Sequence, residues 1–239
     1  MKNGLPEVIF FDLDDTLISF SASIEACWEQ VCVAFAPLTG GLSSLQLRQA
    51  IDEYSHWYWQ DRERHRLGRQ DLPQTRRDIV AVALRNLGVD NPLLADQIGN
   101  AYTETRTQAI WLLPGALDTL EHLRRQAVRL GLITNGTASE QRYKLARFEL
   151  ERFFDCILIE GEFGVGKPDE RVYRHALKQM QVSPQDAWMV GDNLEWDVAG
   201  AQAMGLTGIW VDLLGKGLPE ATPVQPNRTI CSIAELKEG

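Results

Sequence analysis

The sequence predicts an α/β protein, a parallel sheet flanked by helices and interrupted after its first strand by an α-helical module. Three observations carry this. A compact apolar run over residues 7–11 ends on an acidic cluster. From about Ser21 to Thr107 helical periodicity dominates and no strand-like run appears. After Leu113-Pro114-Gly115 the text alternates between amphipathic stretches and short apolar runs.

Residues 7–11 read as a buried strand because β-branched and aromatic residues run together before Asp12-Leu13-Asp14-Asp15-Thr16. One strand is not stable alone, so it must join the later sheet, and the helical text between them is an insertion. Gly40-Gly41 and Asp90-Asn91-Pro92 punctuate that insertion. The alternating part gives a helix to Arg125, strand 128–134, helix 139–148, strand 156–159, helix 170–180, strand 187–190, helix 196–204 and strand 208–211. Thr137 with Glu140 forms a capping box for helix 139–148. The tail carries Pro219, Pro223 and Pro226 before a last short strand and helix near 230–236. The resulting division is a core of residues 1–18 and 108–239 and a helical insertion of 19–107.

Composition narrows the function. At 239 residues and 44% hydrophobic the chain can bury a full core, and a disordered reading fails. A net charge of -9 repels nucleic acid and anionic membranes, so neither is an expected partner. A small phosphate ester is compatible, because one metal ion and one lysine reverse the field inside a pocket. Cys27, Cys32, Cys156 and Cys231 make no CxxC pair and no zinc spacing with the histidines. The run Val8-Ile9-Phe10-Phe11 is too short for a signal-peptide core, and no stretch approaches a membrane span. Together these predict a cytoplasmic setting.

Four segments stand at predicted carboxyl ends of strands, where open parallel sheets place their ligand crevice. They are Asp12-Leu13-Asp14-Asp15-Thr16, Thr134-Asn135-Gly136, Gly166-Lys167-Pro168, and Gly191-Asp192 with Asp197 five residues on. In order and chemistry they resemble the haloacid dehalogenase-like superfamily, and the resemblance covers essentially the whole chain. It implies a Rossmann-like parallel sheet core, with the insertion similar to the α-helical cap placed after the first motif in one subclass. It also implies that Mg2+ is held by a side-chain oxygen of Asp12, the backbone carbonyl of Asp14, and Asp192.

The residue types fit that chemistry. A phosphate monoester is a dianion, so a carboxylate at Asp12 attacks it only with positive charge alongside. Clustered carboxylates suit magnesium, a hard ion. Attack by Asp12 gives an aspartyl-phosphate, which divides one hard displacement into two easier ones. Asp14, two residues on, is placed to protonate the leaving alkoxide and then to activate water. Asp15 should point elsewhere. Thr134 and the backbone amide of Asn135 would hydrogen-bond the phosphoryl oxygens, and Lys167 would offset their charge. Pro168 biases Lys167 toward extended backbone and starts the next helix. Asp197 would orient Lys167 or metal-bound water.

Taken alone, Asp12-Leu13-Asp14-Asp15 is equally a solvated acidic loop, and Asp197 is equally a first-turn helix acid. Thr134, Lys167 and Asp192 at later strand ends remove the first reading. In the insertion, Trp57-Tyr58-Trp59 read as helical core. Arg62, Arg64, Arg66 and Arg69 alternate with Asp61, Glu63 and Asp71, so a salt-laced face is the default and reading of a second substrate anion is the sharper alternative. The expected function is a magnesium-dependent phosphatase acting on a small phosphorylated metabolite, such as a nucleoside monophosphate or sugar phosphate, as a monomer or homodimer. The alternatives are a sugar phosphomutase, a dehalogenase, which Asp14 argues against, and a noncatalytic binder.

Overall fold

The computed structural model describes residues 4–237. Strand β1 (Val8–Phe11) is buried along its whole length, because it is the inner strand of a sheet covered on both faces. A two-residue strand, β2 (Ile18–Ser19), follows the acidic turn. Five helices come next: α1 (Ile24–Phe35), α2 (Ser44–Gln60), α3 (Arg62–Gly68), α4 (Leu72–Asn86) and α5 (Pro92–Gln108). Strand β3 (Trp111–Leu112) then pairs antiparallel with β2, Ile18 opposite Leu112 and Ser19 opposite Trp111. The chain continues as α6 (Ala116–Arg125), β4 (Arg129–Thr134), α7 (Ala138–Arg147), β5 (Cys156–Ile159), α8 (Glu160–Phe163) and α9 (Glu170–Met180). It closes with β6 (Ala187–Gly191), a π-helical turn over Leu194–Ala199, α10 (Gly200–Ala203), β7 (Thr207–Val211) and β8 (Arg228–Ile230).

Two compact units result, one running to Ser19 and resuming at Trp111, the other spanning Phe20–Ile110. In the first, six parallel strands lie in the order β5-β4-β1-β6-β7-β8. The strand period of two divides β1 between the faces. Ile9 and Phe11 pack with Leu120 and Leu123 of α6, while Val8 and Phe10 pack with Val172, Tyr173 and Ala176 of α9. Each such side chain contributes about 1.5–3 kcal/mol by leaving water. The chain runs from β1 to β4 on one side and later to β6 on the other. The carboxyl end of β1 is therefore the switch point at which such sheets bind ligands.

The second unit is all helical, as the periodicity predicts. Helices α2 to α5 start on sequence-readable caps: Ser43 forms a capping box with Gln46, and Asn91 caps a helix that opens on Pro92. Trp28 and Tyr102 stack face to face at 3.6 Å within a core that includes Leu47, Ile51, Val80 and Ile98. Trp28→Ala is expected to destabilise this unit by about 3–5 kcal/mol, the cost of emptying an aromatic core site. Urea unfolding followed by tryptophan fluorescence reads it, and a loss under ~1 kcal/mol would mean that the core collapses around the gap.

Two local features differ from the sequence expectation. The β2–β3 pair was not predicted, since two-residue strands are too short to show a period. The helix expected at 196–204 begins two residues earlier as a wide turn. The Asn193 side chain accepts from the amides of Glu195 and Trp196, and its carbonyl accepts from Asp197 at 2.8 Å and Val198 at 3.3 Å. The Asp197 carboxylate in turn accepts from the Asn193 amide at 2.9 Å.

Candidate active site

Asp12 extends the β1 ladder by one residue, its amide donating to Val190 of β6 at 2.9 Å. That fixes the carboxylate at the switch point. The Lys167 Nζ lies 2.6 Å from one Asp12 oxygen and 2.6 Å from one Asp197 oxygen, and its side chain is only 2% exposed. Asp12, Asp192 and Asp197 each bring a carboxylate oxygen within 4.8 Å of the other two. Glycine at 191 is what lets Asp197 come this close, since a Cβ there would sit 2.3 Å from its carboxylate.

The loop carrying Lys167 is clamped by Asn135. Its side-chain oxygen accepts from the Lys167 amide at 2.7 Å, and its side-chain nitrogen donates to the Lys167 carbonyl at 2.8 Å. Gly166 makes room, because a Cβ there would lie 2.4 Å from the Asn135 oxygen. The Lys167–Pro168 bond is cis, and Asp169, not Pro168, caps α9.

Thr134, the last residue of β4, accepts a hydrogen bond from the Gln141 side chain at 2.6 Å. The same Gln141 nitrogen lies 3.1 Å from Asp14, and Lys144 Nζ lies 2.8 Å from both Asp14 oxygens. Asp15 adopts a left-handed backbone conformation, φ 54°, and its charge is felt at Asp192, so it does not stand clear of the site as the sequence suggests.

A family model for haloacid dehalogenase-like hydrolases matches residues 6–205. The chain belongs to the haloacid dehalogenase-like hydrolase family. It is 30% identical over 233 residues to the pyrimidine 5'-nucleotidase YjjG of Escherichia coli, covering 96% of each chain. A phosphoserine phosphatase of Thermus thermophilus is 45% identical over 116 residues, which is 47% of this chain and 45% of that one, so this match spans about half of either protein. Among solved structures, the HAD-hydrolase YfnB of Bacillus subtilis, determined bound to magnesium, shares the fold at a TM-score of 0.75 and 22% identity, with 98% of both chains covered.

The electrostatics of this family member's site favour a cation. Burial pushes the Asp12 carboxyl up to about 7, with Asp197 and Asp14 adding to the rise and Lys167 opposing it. Burial, then the charges of Asp12 and Asp197, pushes Asp192 up to about 9. Burial works against the Lys167 charge, but Asp12 and Asp197 outweigh it and hold its pKa above the ordinary lysine value. Both Asp197 oxygens are occupied, one by Lys167 and one by the Asn193 amide. The Asp192 carboxylate takes no hydrogen bond among the described residues, so Asp12 and Asp192 offer the open donors. Hard oxygen donors under mutual repulsion fit Mg2+.

The structure brings Asp12, Lys167, Asp192 and Asp197 together, and Asp14, Thr134 and Asn135 stand at the same strand ends. The Asp14 side chain is not part of the carboxylate cluster, being engaged by Lys144. Sequence reasoning missed Gln141 and Lys144. The only signal is that positions 141, 144 and 145 share a helix face whose inward side Leu145 marks. In the helical unit, the Arg64 guanidinium bonds the carbonyls of Trp57 and Tyr58 and covers the Trp57 ring at 3.8 Å, and Arg66 pairs with Glu63. No helix among the described residues is long and apolar enough to cross a membrane.

Proposed function

We propose that this chain is a magnesium-dependent phosphatase that hydrolyses a small phosphate ester through an aspartyl-phosphate on Asp12. The observation that carries the reading is the carboxylate of Asp12, fixed by Lys167 at 2.6 Å beside Asp192, with a second carboxylate two residues on at Asp14. Relatives named as phosphatase and nucleotidase support it.

The Asp12 oxygen not held by Lys167 attacks phosphorus as the P–O ester bond breaks. Asp14 gives its proton to the departing alkoxide. The aspartyl-phosphate is then opened by water, which loses a proton to Asp14, and Asp12 leaves as carboxylate with inorganic phosphate released. Thr134, the Asn135 amide and Lys167 stabilise the charge on the transferring phosphoryl oxygens. Asp12, Asp192 and, as the family resemblance implies, the Asp14 carbonyl would hold Mg2+, which would add positive charge beside the transferring phosphoryl group. The helical unit over residues 20–110 is inserted where the family resemblance puts a cap, after the first motif. The test is phosphate release from p-nitrophenyl phosphate and a panel of nucleotide and sugar phosphates, with magnesium or EDTA. No release from any member would sink the phosphatase and favour a mutase or a binder.

Metal dependence also has a stability signature. Asp12 and Asp192 have folded-state values of about 7 and about 9, both above the ordinary 3.8. Their contribution to the stability of the metal-free chain is therefore present below the unfolded value and is lost as pH rises through 7 and then 9. A bound divalent cation cancels that loss. The rise in melting temperature on adding Mg2+ is expected to be near zero at about pH 5 and largest at about pH 9. A rise of equal size at both would remove Asp12 and Asp192 as the ligands.

A further inference from the structure

We propose that Lys144 and Gln141 form a clamp that aims the Asp14 carboxyl at the leaving group and the Thr134 hydroxyl at the phosphoryl group. The inference rests on the phosphatase reading above and assigns two positioning residues to it.

The geometry is specific. Lys144 and Gln141 lie three apart on α7, on one face of the helix. Lys144 spans both Asp14 oxygens at 2.8 Å, which fixes the rotation of the carboxylate as well as its place; the acid form keeps one of these contacts while its other oxygen carries the proton. One Gln141 nitrogen meets Asp14 at 3.1 Å, the Thr134 hydroxyl at 2.6 Å and the Asn135 carbonyl at 3.0 Å. Gln141 thus ties the turn after β1 to the end of β4. A hydroxyl that accepts from Gln141 must point its own proton elsewhere. The one acceptor it has among the described residues, the Asn135 carbonyl, lies at a loose 3.4 Å. The proton is thereby left for an incoming oxyanion.

Burial shows that this is not incidental surface pairing. Gln141 is 1% exposed and Lys144 7%, on a helix whose neighbour Tyr143 is 48% exposed. A buried lysine–carboxylate pair is often no more stabilising than two apolar side chains in its place, so the fold alone does not account for it. What an apolar side chain cannot do is hold the Asp14 carboxyl at two points.

Leaving groups separate the clamp from simpler roles. An alkoxide departs only when protonated, whereas p-nitrophenolate departs without help. The value of kcat/KM reports phosphoryl transfer to Asp12, before the common hydrolysis step. Lys144→Met is expected to lower kcat/KM for an alkyl phosphate by about 10²-fold or more, and for p-nitrophenyl phosphate by only a few-fold. Lys144→Arg, which keeps a cation able to span both oxygens, is expected to recover part of the alkyl loss. An equal fall for both esters, driven by KM, would make Lys144 a phosphate-binding cation and overturn the clamp. No change for either ester would overturn it too.

Crystal structures of the native chain and Lys144→Met read the clamp apart from turnover. Asp14 swung away from Gln141 in the variant supports it, and Asp14 unmoved overturns it. If the native chain releases no phosphate from either ester, the phosphatase reading fails, and the two crystal structures still decide whether Lys144 holds Asp14.

Discussion

Asp12→Asn is expected to abolish phosphate release from every ester, by about 10⁴-fold or more in kcat, the scale on which enzymes lose a nucleophile that works as part of a unit. The substitution is nearly isosteric, and the asparagine oxygen still accepts from Lys167, so the fold should be retained. What disappears is the anionic oxygen that attacks phosphorus. Acid-quenched protein after incubation with labelled substrate should carry phosphate on the native chain and none on Asp12→Asn. The Mg2+-induced rise in melting temperature should also shrink, because one of the two open carboxylates is gone. Residual turnover within tenfold of native would move the nucleophile to another group and discard the covalent mechanism.

The sheet and its site were legible to different depths, for physical reasons. Strands β1, β4, β6 and β7 are buried, so their sequences are apolar runs that need no tertiary information to find. The chemistry at their ends was legible because a crevice at strand termini concentrates polar residues directly after those runs. The clamp on α7 was not. Gln141 and Lys144 sit among Glu140, Arg142 and Arg147 in text that reads as a solvated helix, and only packing of α7 on the core makes one face of it a buried polar surface. Asn135 was read for its backbone amide, while its side chain pins the Lys167 loop 32 residues away, a long-range pairing that no local pattern announces. Asp197 was read as orienting Lys167 or metal-bound water, and its carboxylate lies 2.6 Å from the Lys167 ammonium. The π-helical turn that delivers it there depends on two hydrogen bonds to the Asn193 carbonyl, which the sequence shows only as an asparagine before an apolar turn.

Lys167→Met tests whether the buried triad is catalytic, structural or both. In the native chain one ammonium faces two carboxylates, each at 2.6 Å, with Lys167 2% and Asp197 1% exposed. Removing the cation leaves both acids without their counter-charge, a change that typically costs about 3–5 kcal/mol. The pH dependence has a definite sign. The Lys167 pKa is raised above its ordinary value, so its contribution is fully present below the ordinary lysine range and persists across neutral pH. The variant escapes the penalty by protonating Asp12, whose carboxyl burial already pushes up, so its deficit in melting temperature should widen as pH rises and narrow as pH falls. Turnover should drop by about 10²–10³-fold at constant magnesium, the loss expected when one charge on the phosphoryl oxygens is removed. Adding Asp197→Asn to Lys167→Met separates the two duties. The double variant removes a buried carboxylate along with its partner and should regain stability, whereas turnover should stay low because the phosphoryl group still lacks the ammonium. Recovery of both together would mean that Lys167 only holds the fold, and that the charge on the phosphoryl oxygens is met without it.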